Sequence, residues 1–226
     1  MGETDTASSP TDIHTPIPYK AEVLRKAIHL LALVLPLAMV LLGKTEALYL
    51  LVPTTALVLS GDVLRVRSVW FARLVARIFG FLMRSEEQPP VGGSIKLTGA
   101  TWVLLSATLL TVVFPIRIAA PALAIFMLSD AAAALVGRRY GRTHWGDNPR
   151  TLEGSLAFLL VGLGVMALVA PYAAIVFWTG AVSVVVATLA EVPTGPFNDN
   201  LRVPMVAAAV LFLLERFVLG IDVGLF

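Results

Sequence analysis

The stretch Ser129–Ser155, SDAAAALVGRRYGRTHWGDNPRTLEGS, decides how this chain is read. Its first part ends an apolar run that begins near residue 117, and it carries one aspartate, Asp130, inside that run. A glycine- and arginine-rich polar loop follows, and Arg150-Thr151-Leu152-Glu153-Gly154 stands at the mouth of a second apolar run. Apolar run, polar loop and apolar run describe a helical hairpin across a bilayer, because a helix satisfies its own backbone hydrogen bonds where no water is available. An ionisable side chain in such a run is expensive and is a functional candidate by default.

The pattern recurs along the chain. Of 226 residues 58% are hydrophobic, and the mean hydropathy is +0.85, whereas a soluble domain is nearer ~45–50% apolar. Apolar runs of ~17–20 residues are long enough to cross a bilayer as helices. Seven spans are expected, near 28–43, 46–62, 98–115, 117–137, 154–170, 172–190 and 204–220. The fold class is therefore all-α, a polytopic transmembrane helix bundle of about seven spans, with residues 20–226 forming one integral-membrane domain. Residues 1–19 are rich in Thr, Ser, Asp and Pro and lack a basic start followed by a short apolar stretch. They read as a disordered tail rather than a cleaved signal peptide. The absence of cysteine excludes disulfides, thiolate catalysis and cysteine-based metal sites.

Three turns are very short: Gly43-Lys44-Thr45, Pro115-Ile116-Arg117 and Pro171-Tyr172. The long polar segments 1–27, 63–97, 138–153 and 191–203 fall on the other side. They hold 14 of the 17 Lys and Arg residues, leaving Lys44, Arg117 and Arg216 for the short-turn side. The positive-inside rule then puts the amino terminus and the long segments in the cytoplasm and the carboxyl terminus outside. Topology also accounts for the net charge of +2, so no nucleic-acid partner is implied. Residues 65–84 form an amphipathic stretch with Arg73, Arg77 and Arg84 on one face, expected as a helix in the cytoplasmic interface. Residues 85–93 read as a loop.

The chemistry-bearing residues gather in the long segments. Arg138, Arg139 and Arg142 offer guanidinium forks suited to phosphate oxygens. Gly137 and Gly141 are expected to loosen the chain between them. Free N–H groups at the start of the fifth span, with Arg150 and Ser155 alongside, suit an anion; an ordinary cap by Thr151 with a first-turn Glu153 explains part of the same stretch. Asp130, Glu153, Glu191 and Asp199 are candidates for one shared depth. Hard carboxylate oxygens suit Mg²⁺, which commonly binds one or two carboxylates plus substrate phosphates. Arginines for phosphate and carboxylates for magnesium are the parts of phosphoryl or nucleotidyl transfer. Arg25, Lys26 and His29 stand at the entry to the first span, Arg25 and His29 one helical turn apart; His29 is a candidate to hydrogen-bond a reacting hydroxyl or a phosphate. Asp62 and Arg65 are either the edge of this site or a local ion pair. Gly43-Lys44-Thr45 lacks the first glycine of a P-loop, and His14 and His144 lack zinc-ligand spacing.

These residues resemble the CTP-dependent polyprenol/dolichol, phytol and diacylglycerol kinases. The resemblance rests on Arg25-Lys26…His29, Ser129-Asp130…Ala133…Gly137-Arg138…Gly141, Arg150-Thr151…Glu153-Gly154-Ser155 and Glu191…Asp199-Asn200-Leu201…Pro204. Leu97-Thr98-Gly99-Ala100-Thr101 is similar as well, so the likeness runs in order from about residue 22 to 204. Ser129 stands where glycine is common, and Arg150 where lysine is usual. The resemblance implies a membrane lipid kinase that takes CTP, or another nucleoside triphosphate, and phosphorylates a lipid alcohol. It implies that Arg138, Arg142 and Arg150 hold phosphates, with Gly137, Gly141, Thr151, Gly154, Ser155 and Asn200 around the nucleotide. Asp130 and Glu153 would hold Mg²⁺ with Glu191 or Asp199, and the lipid hydroxyl would lie near Arg25, Lys26 and His29. Asp130, Glu153 and His29 are the catalytic candidates. Phosphatidate cytidylyltransferases share part of this pattern but usually close on D-R-x-D-S, which this chain lacks. A non-enzymatic transporter of an anionic solute is the other alternative, and a homo-oligomer is compatible with the sequence.

Overall fold

The computed structural model describes residues 19–81, 83, 87–193 and 198–222. Its elements are helical: α1 (Tyr19–Leu31), α2 (Val34–Leu42), α3 (Lys44–Arg67), α4 (Val69–Phe79), α5 (Gly99–Val113), α6 (Ile116–Tyr140), α7 (Leu152–Val169), α8 (Phe177–Glu191) and α9 (Asp199–Leu213). A π-helical turn, Leu214–Val218, extends α9. The chain is a helical membrane bundle. The segment Glu22–Leu42, α3, α6 and α7 are each long and apolar enough to cross a membrane, and α5 and α8 are shorter apolar helices. Residues 1–18 of the expected tail, Arg84 of the amphipathic stretch and part of the loop before Asp199 lie outside the described residues.

The first expected span is interrupted. Pro36 has no N–H for the carbonyl of Ala32, the partner four residues back. The chain compensates with tighter bonds, Ala32 N–H to His29 O (3.1 Å), Leu33 N–H to Leu30 O (3.0 Å) and Leu35 N–H to Ala32 O (2.9 Å). This break separates α1 from α2. Pro53, Pro121 and Pro204 sit inside unbroken helices.

Two boundaries differ from the sequence reading in ways that bear on the site. α6 continues to Tyr140, so Gly137 is a helical residue and does not loosen the chain; Gly141 ends the helix. The Asp199-Asn200-Leu201-Arg202 stretch is the first turn of α9, not a loop before a span starting at 204. Asn198 caps that turn by accepting the N–H of Asn200 (3.0 Å), a local start signal that Pro204 obscures in the sequence. The amphipathic stretch is shorter than expected. α4 starts after Ser68, whose Oγ accepts the Phe71 N–H (3.4 Å), and no residue of α4 is buried. Its Trp70, Leu74, Ile78 and Phe79 are exposed, as suits a helix lying in an interface.

α6 is the centre of the bundle, packed against α1, α2, α5, α7 and α9. Ile118, Leu123, Phe126 and Met127 from α6 join Phe158 and Met166 from α7 and Leu211 from α9 in one core. Small residues let α6 and α7 meet backbone to backbone. A Cβ on Gly154 would stand 3.0 Å from the Ala133 carbonyl oxygen and 3.4 Å from the Gly137 Cα. Two helical turns after Ser155 comes the next contact layer, where a Cβ on Gly162 would stand 3.0 Å from Ser129 Oγ and 2.7 Å from Val184 Cγ1. At the end of α6 away from Asp130, Arg117 donates to the carbonyl of Ala173 (3.2 Å) and to Glu215 (3.1 Å). Glu215 is fully buried and also accepts from the Val176 N–H (3.0 Å) and the Thr179 hydroxyl (2.6 Å).

Gly154→Leu is expected to force α6 and α7 apart and cost about 1–3 kcal/mol, as overpacking does, read as a lower melting temperature in detergent. Glu215→Ala leaves the Arg117 cation without its buried partner and is expected to cost about 3–5 kcal/mol, whereas Arg67→Ala, at an exposed position, should leave the melting temperature within the scatter of the measurement.

Candidate functional site

The charged groups of the bundle collect at its two ends, and the candidate residues lie at the end opposite Arg117 and Glu215. Three local clusters make up this end. The first joins α1 to α6. Lys26 Nζ pairs with Asp130 Oδ2, and His29 Nε2 lies 3.6 Å from the same oxygen. Lys26 is 4% exposed, so its charge is stabilised by the carboxylate rather than by water. His29 Nε2 is buried with no hydrogen-bond partner among the described residues; its ring is edge-on to Phe126 at 6.3 Å. Lys26 and His29 are three apart and share a helical face, which α1 turns toward α6. Arg25, on the neighbouring face, bonds Glu22 instead. Glu22 is 2% exposed and also approaches Arg138 Nη2 at 3.6 Å, so it links the start of α1 to the end of α6.

The second cluster shapes the loop between α6 and α7. Thr151 caps α7, its Oγ1 accepting the Gly154 N–H (3.2 Å). Glu153 accepts from the backbone N–H groups of Arg142 (3.1 Å) and Thr143 (3.2 Å), and folds the polar loop back onto the helix start. A backbone bridge between His144 and Thr151 closes the same loop. Trp145 Nε1 donates to Ser155 Oγ (3.1 Å). Gly141 admits no side chain, since a Cβ there would stand 2.6 Å from Thr151 Cγ2 and 2.2 Å from the Gly137 carbonyl oxygen. Arg139 stacks its guanidinium over Tyr140, 5.5 Å from the ring centroid, and Arg142 is exposed.

The third cluster is centred on Arg150. Its guanidinium pairs with Glu191 at the end of α8 and with Asp199 at the start of α9. Arg202 also pairs with Asp199 and donates to the Pro193 carbonyl (2.6 Å). Asn148 holds the loop from both sides, donating to the Val192 carbonyl (2.6 Å) and accepting the Arg150 N–H (3.0 Å). The backbone of Asn200 takes part in the α9 cap.

The four carboxylates grouped by the sequence thus occupy distinct settings: Asp130 on Lys26 and His29, Glu153 on loop N–H groups, and Glu191 and Asp199 on one arginine. Among the described residues no three His, Cys, Asp or Glu side chains gather into a ready-made metal cage. Mg²⁺ commonly takes one or two carboxylates and completes its shell with water and substrate phosphates. Glu191 and Asp199, meeting at one guanidinium, fit that smaller donor set. Asp62 and Arg65 form the local ion pair (3.2 Å). Asp62 also accepts from the Thr98 N–H (2.9 Å) and the Thr101 hydroxyl (2.6 Å), while Arg65 donates to the Lys96 carbonyl (2.9 Å). This network fastens the segment before α5 to the end of α3, and explains why Thr98 and Thr101 flank a helix start.

Glu22, Asn148 and Arg202 are the participants that the sequence reading passed over. Glu22 had a signal, an acid three residues before Arg25 at the head of an apolar run. Asn148 had none, because its partner Val192 contributes only a backbone carbonyl.

No family model matches the chain, and no solved structure matches it. It is 26% identical over 187 aligned residues to an uncharacterized protein of Rickettsia prowazekii, covering 80% of this chain and 88% of that protein. It is 28% identical over 177 aligned residues to the CTP-dependent diacylglycerol kinase 1 of Schizosaccharomyces pombe, covering 69% of this chain and 75% of the kinase. At the level of family, the chain is distantly similar to a CTP-dependent lipid kinase.

Proposed function

We propose that residues 20–226 form a single lipid kinase domain that transfers the γ-phosphoryl group of CTP to the hydroxyl of a membrane lipid alcohol such as diacylglycerol, phytol or a polyprenol. The observation that carries this reading is the meeting of Lys26 and His29 with Asp130, which joins two of the segments resembling those kinases. The distant likeness to a CTP-dependent diacylglycerol kinase supports the same chemistry. The excess of Lys and Arg on the long segments supports a cytoplasmic site.

In this reading the lipid hydroxyl approaches between α1 and α6. The unpartnered Nε2 of His29 hydrogen-bonds the hydroxyl and orients it, and Asp130 accepts its proton. The lipid oxygen then bonds to the γ-phosphorus as the bridge to the β-phosphate breaks, and CDP leaves. Arg138, Arg142 and Arg150 hold the phosphates. Arg150 is held by Glu191 and Asp199, so phosphate binding there exchanges carboxylate oxygens for phosphate oxygens on the same fork. Magnesium, when bound with the nucleotide, would neutralise charge on the phosphate oxygens, with Glu191 and Asp199 as its holders. Glu153 shapes the loop that carries Arg142. Most of the rate enhancement comes from positioning and charge neutralisation, the usual division in phosphoryl transfer.

CTP labelled at the γ position should label the lipid, and CTP labelled at the α position should not. Lipid labelled from the α position with release of pyrophosphate would replace the kinase by a phosphatidate cytidylyltransferase. Nucleotide-independent solute flux in proteoliposomes, without any transfer, would make the protein a transporter. Asp130→Asn is expected to lower transfer by about 100-fold or more, the scale of a lost general base; activity close to the parent's would remove Asp130 from that role. Lys26→Met should cost about 3–5 kcal/mol of stability by stranding the Asp130 charge. The double change Lys26→Met, Asp130→Leu should recover much of that stability while transfer stays absent, which separates the folding role of the pair from its chemical role.

A further inference from the structure

We propose that a hydrocarbon chain of the acceptor lipid lies in the apolar groove between α2 and α3, reached through a crevice that opens sideways to the bilayer; this rests on the lipid kinase reading above. The groove encloses about 120 Å³. Ala38, Met39 and Leu42 of α2 form one wall, Ala47 and Leu51 of α3 the other, and Leu104 of α5 the floor. The lining is apolar apart from Thr54, so it suits methylene groups and no charged or strongly polar ligand.

Two features tie this groove to the site rather than leaving it as ordinary bilayer contact. Its first lining residue, Val34, opens the helix directly after the Ala32–Leu33 break, only five positions after His29. At 1.5 Å per residue the groove therefore starts about 8 Å below His29 and reaches about 20 Å below it at Leu42. The second is that the apolar side chains at the His29 end, Ile28 and Leu31 on α1 and Leu57 on α3, are exposed. A lipid whose hydroxyl sits at His29 can therefore lay its chain toward the groove along apolar surface. A chain of about 20 Å from His29 is needed to reach the far end of the groove, which exceeds half of a ~30 Å hydrocarbon core. Long-chain acceptors would then use the groove and short-chain ones would not reach its end.

The test uses the full chain in detergent and a diacylglycerol carrying a diazirine at the end of one C18 acyl chain. Photolysis should attach it within residues 34–54, excess unlabelled C18 diacylglycerol should compete, and Ala38→Phe should reduce attachment about tenfold by filling the space. Leu42→Trp, which blocks the far end from a more exposed position, should do the same if Ala38→Phe lowers the folded yield. Attachment spread evenly over exposed apolar faces such as Leu168 and Phe217, uncompeted and unchanged in both variants, would mean bulk lipid and would overturn the groove. Transfer from γ-labelled CTP is measured on the same samples. Groove-mapped, competed attachment without transfer keeps the lipid site and overturns the kinase; transfer with evenly spread attachment keeps the kinase and overturns the groove.

Discussion

The close approach of α6 to α7 is the constraint on which the rest of the site depends. Gly154 meets the backbone of Ala133 and Gly137, and any side chain at Gly154 or Gly137 would widen the gap. Because the helices touch there, the end of α6 and the start of α7 stand side by side, and the short loop between them has to fold back. Glu153, Thr151 and Gly141 make that fold possible: one accepts two loop N–H groups, one caps the helix, and one leaves room for the other's methyl. The loop arginines are consequently presented at one end of the bundle, beside the acidic ends of α8 and α9.

Charge pairing builds outward from this contact. In apolar surroundings an uncompensated ion is costly, whereas a paired one can serve as a fixed cross-link between helices. Lys26 with Asp130 joins α1 to α6, Arg150 with Glu191 and Asp199 joins the α6–α7 loop to α8 and α9, and Arg117 with Glu215 locks the opposite end. The two ends differ in kind. Glu215 is fully enclosed and its carboxylate meets a guanidinium, a backbone N–H and a hydroxyl, which is the character of a structural lock. At the Asp130 end, His29 Nε2 is left without a hydrogen-bond partner among the described residues, so that end is the less fully satisfied of the two.

Much of the bundle was legible because membrane spans are written in composition and length. The apolar runs, the short turns at Gly43 and Pro115 and the basic stretch around Arg73 and Arg77 need no tertiary information, since lipid imposes the same requirement on every span; the turn read at Pro171-Tyr172 is longer, because α7 ends at Val169 and α8 starts only at Phe177. Helix ends were less legible. The break before α2 follows from Pro36, yet Pro53, Pro121 and Pro204 leave their helices whole, so proline by itself does not say where a helix stops. Gly137 reads as a loosening residue and is in fact helical, because its lack of a side chain serves packing against α7 and not chain flexibility.

The sequence by itself determined the class of the fold, the residues with the chemistry for anions and cations, and the segments that carry them. These follow from transfer free energies and side-chain functional groups, which are properties of residues. Only the tertiary structure decided who pairs with whom. It put Lys26 and His29 on Asp130, gave Glu191 and Asp199 to Arg150, made a helix cap-turn of Asn198–Asn200, and closed Asp62 and Arg65 on each other at the start of α5. The reason is that a buried charge chooses the partner that helix packing brings within reach, and that packing is set by small residues such as Ala133, Gly137 and Gly154, whose spacing along one chain does not name the helix they will meet.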